Sequence, residues 1–382
     1  MRRLAASCLM LSALLAGFNP ALADTAPALR PQPPGVAWPS TSWESAPLPP
    51  DVDRDRIADV MRGLHDNIGP AGLPDTRALL VVHKGRIVME TYAPGFGPTS
   101  RFISWSMAKS VTNALTGVMV RKGQLQLDKP APVQAWRAQD DPRGAITLRH
   151  LLNMTSGLDN DDDAGGGLGF VTALLFTAGY REDATATAAD VDLIHPPGTF
   201  WAYSTASSQI IGGLIHSANG ADRSATRAFA YAELFVPLGA RSMQMEFDKA
   251  GTFLAGSHMW ASARDWARLG YLYLRDGVWD GRRILPEGWV DFTRTRAPAS
   301  NNGIHGAHFW VSGEPAEGQW GGMRGSLGAF YMSGNNGQLV AMMPARDLVI
   351  VRLGEDHIED WDYFNALPGR IADAFPIAGA QP

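Results

Sequence analysis

The chain has 382 residues, 45% of them hydrophobic and 19% charged, with a formal net charge of −5. That length supports one large domain or two intimately packed ones around a substantial core. The mild acidity, without any basic run, argues against nucleic acid as a partner.

In chain order, residues 1–23 read first as an export signal. Arg2 and Arg3 give a basic start, residues 4–17 an apolar stretch, and Ala21-Leu22-Ala23 a small-residue cleavage site before Asp24. The stretch is too short for a bilayer span and nothing later resembles one, so we expect an exported protein, periplasmic or secreted, without stable membrane insertion. The single cysteine, Cys8, lies inside this segment. The mature chain is therefore expected to lack disulfides and cysteine metal ligands. Residues 24–50, rich in proline, alanine and serine, are expected to lie as an arm on the surface of a domain spanning 51–382.

The domain opens with a helical pattern over 51–67, where Ile57, Val60, Met61 and Leu64 share one side. A hairpin follows, with 78–83 and 86–92 as strands around the turn Lys84-Gly85. The next helix begins at Ser106 and ends near Lys122-Gly123. Residues 146–154 form another, and 160–290 are largely helical and loop-rich, most clearly over 262–274. Strands return at 338–343 and 348–353 around Pro344-Ala345-Arg346-Asp347, and 359–375 closes the chain as a helix interrupted at Pro368-Gly369. With strands at both ends, the expected class is α+β: an antiparallel sheet flanked by helices and completed by both termini, with an inserted, mainly helical region at roughly 160–290.

Ser106-Met107-Ala108-Lys109 carries the chemical signal. Residues three apart on a helix share a face, so hydroxyl and amine lie within reach of each other. A serine needs a base to become a nucleophile, and a desolvated lysine can serve. Only five of the chain's 33 basic residues are lysines. This one sits among Phe102, Ile103, Trp105 and Met107, where burial favours the neutral amine. Tyr203, after the Pro196-Pro197-Gly198 turn, is a candidate proton relay in that company, although by itself it reads first as an ordinary buried tyrosine. Ser333-Gly334-Asn335-Asn336-Gly337 reads either as a hairpin turn or as a donor of one oxyanion-stabilising amide, with the Ser106 amide as the other.

Other motifs carry less. No Gly-x-Ser-x-Gly occurs, which argues against a nucleophile elbow. His305 and His308 have no acid nearby in sequence and make no metal site. The run Asp159-Asn160-Asp161-Asp162-Asp163 lacks calcium-loop spacing and reads as a solvated acidic loop. Trp201, Phe309, Trp310 and Trp320 are candidates to line an apolar acyl pocket, or simply to fill the core.

Together, Ser106-x-x-Lys109, the 146–158 segment, Pro197-Gly198 through Tyr203, Ala261 through Asp265, and Gly334-Asn335-Asn336-Gly337-Gln338 through Pro344 resemble the serine β-lactamase/penicillin-binding-protein superfamily. The likeness is to its class C-like branch, and within it to 6-aminohexanoate-dimer hydrolase and related esterases. It implies Ser106 as acylated nucleophile, Lys109 as base, Tyr203 as relay, and the amides of Ser106 and Asn335 as oxyanion hole. Gly334 and Trp310 would touch substrate, which would be a small ester or linear amide; no cofactor or metal would be needed. Two departures stand out. No lysine follows Lys249, so the branch's Lys-Thr-Gly is missing and Ser333-Gly334 takes its place, which weakens the expectation of β-lactam hydrolysis. Thr205 stands where many relatives carry asparagine, offering fewer hydrogen bonds for orienting substrate. A β-lactamase or D-alanyl-D-alanine peptidase, and a catalytically silent ligand-binding relative, remain alternative readings. The sequence leaves the oligomeric state open.

Overall fold

The computed structural model describes residues 27–65, 75–162, 169–177, 179, 181–300, 303–313, 328–355 and 361–377. The export signal at 1–23, Asp163 and Trp320 lie outside them. The helices that matter here are α1 (Arg54–His65), α2 (Ala108–Arg121), α3 (Leu148–Leu152), α4 (Gly169–Phe176), α5 (Thr205–Ala218), α6 (Ala263–Leu274) and α7 (Trp361–Ala372). The main strands are β1 (Thr76–His83), β2 (Arg86–Tyr92), β3 (Trp310–Val311), β4 (Phe330–Gly334), β5 (Gln338–Met343) and β6 (Leu348–Gly354).

These six strands form one antiparallel sheet in the order β2–β1–β6–β5–β4–β3. The first hairpin thus docks on the last strand, with Leu80 opposite Val351 and Val82 opposite Val349. Strand side chains alternate between faces, and here each face has its own core. Leu80, Val82, Val340, Val349 and Val351 join the larger core, where α2 and α6 pack. Leu79, Val81, Leu339, Leu348 and Ile350 join a second core with Ile57, Val60 and Leu64 of α1 and Phe364, Leu367 and Ile371 of α7. Covering both faces explains why 78–82 is a continuous apolar run rather than an alternating one. Gly270 lets α6 approach the sheet: a Cβ there would stand 2.7 Å from Val340 Cγ1 and 2.9 Å from Val349 Cγ1.

The arm is ordered over its described residues. Trp38 packs against Trp279, and Trp43 donates to the Arg264 carbonyl at 3.1 Å. Ser45 bridges Ile87 of β2, covering an edge that would otherwise present unpaired backbone. Two helices differ from expectation. The one read over 146–154 is only the single turn of α3, capped by Thr147. The closing helix runs through Pro368 without a break. Proline removes one helical hydrogen bond there, and burial of Phe364, Leu367 and Ile371 on the sheet offsets that loss.

Candidate active site

Ser106 sits in a tight turn, Trp105–Met107, that feeds directly into α2. Trp105 holds a φ of 44°, a left-handed conformation costly for a bulky residue by about 1–3 kcal/mol. Ser104 fixes the turn: its hydroxyl donates to the Trp105 carbonyl at 2.8 Å and accepts from the Met259 amide at 3.0 Å. Behind the turn, residues 108–119 of α2 are all buried. A helix buried all round must satisfy its polar groups internally. Thr112 donates to the Ala255 carbonyl at 2.7 Å, Ser110 to the His308 carbonyl at 3.0 Å, and Asn113 to the Ala307 carbonyl at 2.8 Å. Those bonds set the rotation of α2, and with it the direction in which Lys109 points.

Lys109 is 2% exposed, and its Nζ lies 3.2 Å from Ser106 Oγ, 2.9 Å from Thr205 Oγ1 and 3.0 Å from the Gly256 carbonyl. Burial pushes its ammonium down to about 8, against the pull of the Asp162 carboxylate. The Tyr203 ring centroid is 4.9 Å from the same Nζ. Tyr203 is buried, its ring stacked on Trp310 at 5.4 Å and met edge-on by His305 at 6.1 Å. His305 and His308 are held neutral by burial, both pushed down to about 3.

Thr205 begins α5 and meets a carboxylate that reading the sequence placed in solvent. Asp162 is 6% exposed and Asn160 is buried too, so the acidic stretch is not a wholly solvated loop. Asp162 takes the Thr205 amide on both oxygens at 3.0 Å and its hydroxyl at 2.6 Å. The Asp162 amide in turn donates to the Tyr203 carbonyl at 2.8 Å. A carboxylate at a helix N-terminus is where the helix dipole favours it, which compensates for its removal from water. Thr205 therefore faces Lys109 and Asp162, rather than serving only to orient substrate.

The end of β4 closes the other side. A Cβ on Gly334 would collide with the Ser104 carbonyl at 2.2 Å, so glycine is required for this strand to pass the Ser106 turn. The following turn has Asn336 at φ 58° and Gly337 at φ 78°. Its carbonyls are pinned from behind: Gln338 Nε2 donates to those of Asn335 and Asn336, both at 3.2 Å, and Arg352 to that of Gly337 at 2.8 Å. So 333–337 is a hairpin turn between β4 and β5 and also part of the site.

Ser106, Tyr203, Thr205, Asp162, Ser257, Ser333, Gly334 and Asn335 line one cavity of about 350 Å³, with Lys109 buried behind Ser106 and Thr205. Trp310 is buried behind Tyr203, and Phe309 is fully buried in the core. The apolar wall is formed instead by Trp105, Val171, Leu175 and Phe176. The sequence placed α4 within the helical region at 160–290 but gave no sign that it lines the site, beyond the apolar run Ala173-Leu174-Leu175-Phe176. Among the described residues no group of three or more His, Cys, Asp or Glu is placed to hold a metal ion, and no helix is long and apolar enough to cross a membrane.

Comparison with known proteins agrees with this architecture. The 6-aminohexanoate-dimer hydrolase of Paenarthrobacter ureafaciens is 25% identical over 312 residues, covering 78% of this chain and 76% of that one. Among solved structures, a Bacillus anthracis protein provisionally assigned as a 6-aminohexanoate-dimer hydrolase superposes with a TM-score of 0.65 at 20% identity, covering 90% of this chain and 88% of its own. A penicillin-binding-protein homologue from Caulobacter crescentus superposes with a TM-score of 0.63 at 16% identity, covering 87% and 99%. The beta-lactamase family profile matches residues 75–362, from the start of β1 into the first turn of α7. Every described wall of the Ser106 cavity falls within that match, and the chain belongs to the beta-lactamase family of hydrolases.

Proposed function

We propose that the chain is a serine hydrolase that cleaves a small ester or linear amide through a covalent acyl-enzyme. The 3.2 Å approach of buried Lys109 Nζ to Ser106 Oγ carries this reading. At the pH where the amine is neutral, Lys109, directly or through Tyr203, takes the Ser106 proton as Oγ attacks the substrate carbonyl carbon. The tetrahedral oxyanion is received by the backbone amides of Ser106 and Asn335. Tyr203 then delivers the proton to the leaving alkoxide or amine as the bond to it breaks. Water, deprotonated by the same groups, attacks the acyl carbon and returns Ser106 to its free form.

The apolar wall of Trp105, Val171, Leu175 and Phe176 suits an uncharged acyl group. Resemblance to the Paenarthrobacter hydrolase favours a linear amide, and the apolar wall suits an ester equally well. A fluorophosphonate probe followed by peptide mapping tests the assignment. Labelling on Ser106, with loss of ester and amide turnover in Ser106→Ala on the order of 10⁶-fold, is the expected result. Labelling at another residue, or unchanged turnover in Ser106→Ala, would overturn it. The family match also motivates β-lactam hydrolysis as a second reading. Nitrocefin turnover exceeding that of p-nitrophenyl esters would favour it.

A further inference from the structure

We propose that Asp162 is a positioning residue for the general base: by holding the Thr205 hydroxyl as an acceptor, it leaves neutral Lys109 a single direction for its lone pair, towards Ser106 Oγ. The inference rests on the Ser106–Lys109 reading above and extends it to a residue that does not touch Ser106.

A neutral lysine has two N–H bonds and one lone pair, and Lys109 Nζ has three oxygen neighbours at 2.9–3.2 Å. The Gly256 carbonyl can only accept, so it takes one N–H. A hydroxyl such as Thr205 Oγ1 can donate or accept. Its proton goes to Asp162, whose carboxylate oxygen lies 2.6 Å away and can only accept. Thr205 therefore turns a lone pair towards Lys109 and takes the second N–H. Only Ser106 Oγ is left to face the lone pair, and its proton is the one to be removed. Without the carboxylate, the Thr205 hydroxyl is free to rotate and donate to Nζ, competing with Ser106 for the same electrons.

Burial makes the arrangement hold. Asp162, Thr205 and Lys109 are each at most 6% exposed. Asp162 is itself anchored by the Thr205 amide and through its own amide to the Tyr203 carbonyl, so its carboxylate has a fixed position. Of the other described groups near Lys109, His305 and His308 are neutral, and Tyr203 presents its ring. Among the described residues, Asp162 is the carboxylate that acts on the amine, and it favours the ammonium.

The test is the second-order rate of fluorophosphonate inactivation, measured against pH for wild type, Asp162→Asn, Thr205→Val, Thr205→Ser and the double variant Asp162→Asn/Thr205→Val. In Asp162→Asn one carboxylate oxygen becomes an N–H donor that faces the Thr205 amide or hydroxyl, and the negative charge that fixes the hydroxyl proton is lost. We expect a rate loss of about tenfold or more. The midpoint of the acidic limb should move down by about one pH unit, because an opposite charge no longer supports the ammonium. Thr205→Val keeps the amide bonds that anchor the start of α5 and removes only the hydroxyl, so its loss should match without the helix being disturbed. Thr205→Ser should recover most of that loss. The double variant should be no slower than the slower single one, since both act through one chain of bonds. An Asp162→Asn enzyme labelled at the wild-type rate with an unmoved acidic limb would overturn the inference, as would additive losses in the double variant. Wild type that is not labelled on Ser106 would instead remove the hydrolase reading itself, so the two failures are distinct.

Discussion

The two sides of the Ser106 cavity are built in opposite ways. On one side, the Ser106 turn with the start of α2, the start of α5 and the loop at Asp162 bring together Ser106, Lys109, Thr205 and Asp162, tied to one another and to the backbone by hydrogen bonds of 2.6–3.2 Å. On the other, α4 contributes Val171, Leu175 and Phe176, which offer only apolar surface, with Phe176 53% exposed. Side chains in a bonded network have one arrangement, and losing any member leaves buried partners unsatisfied. An apolar wall tolerates exchange of its residues at the cost of contact area alone. On the proposed reading, chemistry falls to the side that cannot vary, and acyl selection to the side that can.

The largest expected difference lies in the bonded side. Lys109→Ala should lower kcat/KM on the order of 10³-fold or more for every substrate tested, regardless of acyl group. In wild type, kcat/KM should fall about tenfold per pH unit below about 8, where Lys109 gains its proton. A flat profile from pH 6 to 9 would break the contrast, because the amine would not be the group that must be neutral.

A second expectation concerns stability behind the same side. His305 and His308 are folded with values near 3 against an ordinary 6.5, so between those limits the unfolded chain binds more protons than the folded one. Stability should therefore fall as pH drops through that window, by up to about 1.4 kcal/mol per unit for each histidine. Urea midpoints measured from pH 7.5 to 4.5 check this. A midpoint that does not move would mean that the two rings are solvated.

The smallest effect should come from the apolar wall. Phe176→Ala should change kcat/KM for long-chain p-nitrophenyl esters by about three- to tenfold and for acetate esters little, with urea midpoints shifted by no more than about 0.5 kcal/mol equivalent. Equal losses for long and short acyl groups would show that α4 supports the catalytic groups rather than selecting among substrates.

What the sequence revealed follows the same division. Ser106 and Lys109 were legible because helix geometry alone brings residues three apart together. The sheet was legible because β1, β5 and β6 are short apolar runs bounded by turn residues. Asp162 was not. A carboxylate in an acid-rich loop has every local reason to face water, and its partner Thr205 lies 43 positions further along. The α4 wall was hidden for a different reason: a short helix that is apolar apart from Gly169 and Thr172 has no periodicity to read. Trp310 and Phe309 were candidates for a pocket because tryptophan and phenylalanine serve cores and clefts alike. The structure gives them to the core and uses Trp105, at the strained turn, for the cavity instead.

The pairing of Thr76 with Gly354 and of His83 with Leu348 stitches together two ends of the gene product separated by most of its length. Ser106 comes from the early part and Asn335 from the late part, so the proposed nucleophile and the amide proposed to assist it share a cavity only after β4 has been synthesised and docked. A ribosome that stalls before that point releases a polypeptide holding a serine and a lysine in sequence but without the amide that would face them. Premature termination therefore leaves a fragment without one of the two amides proposed to receive the oxyanion.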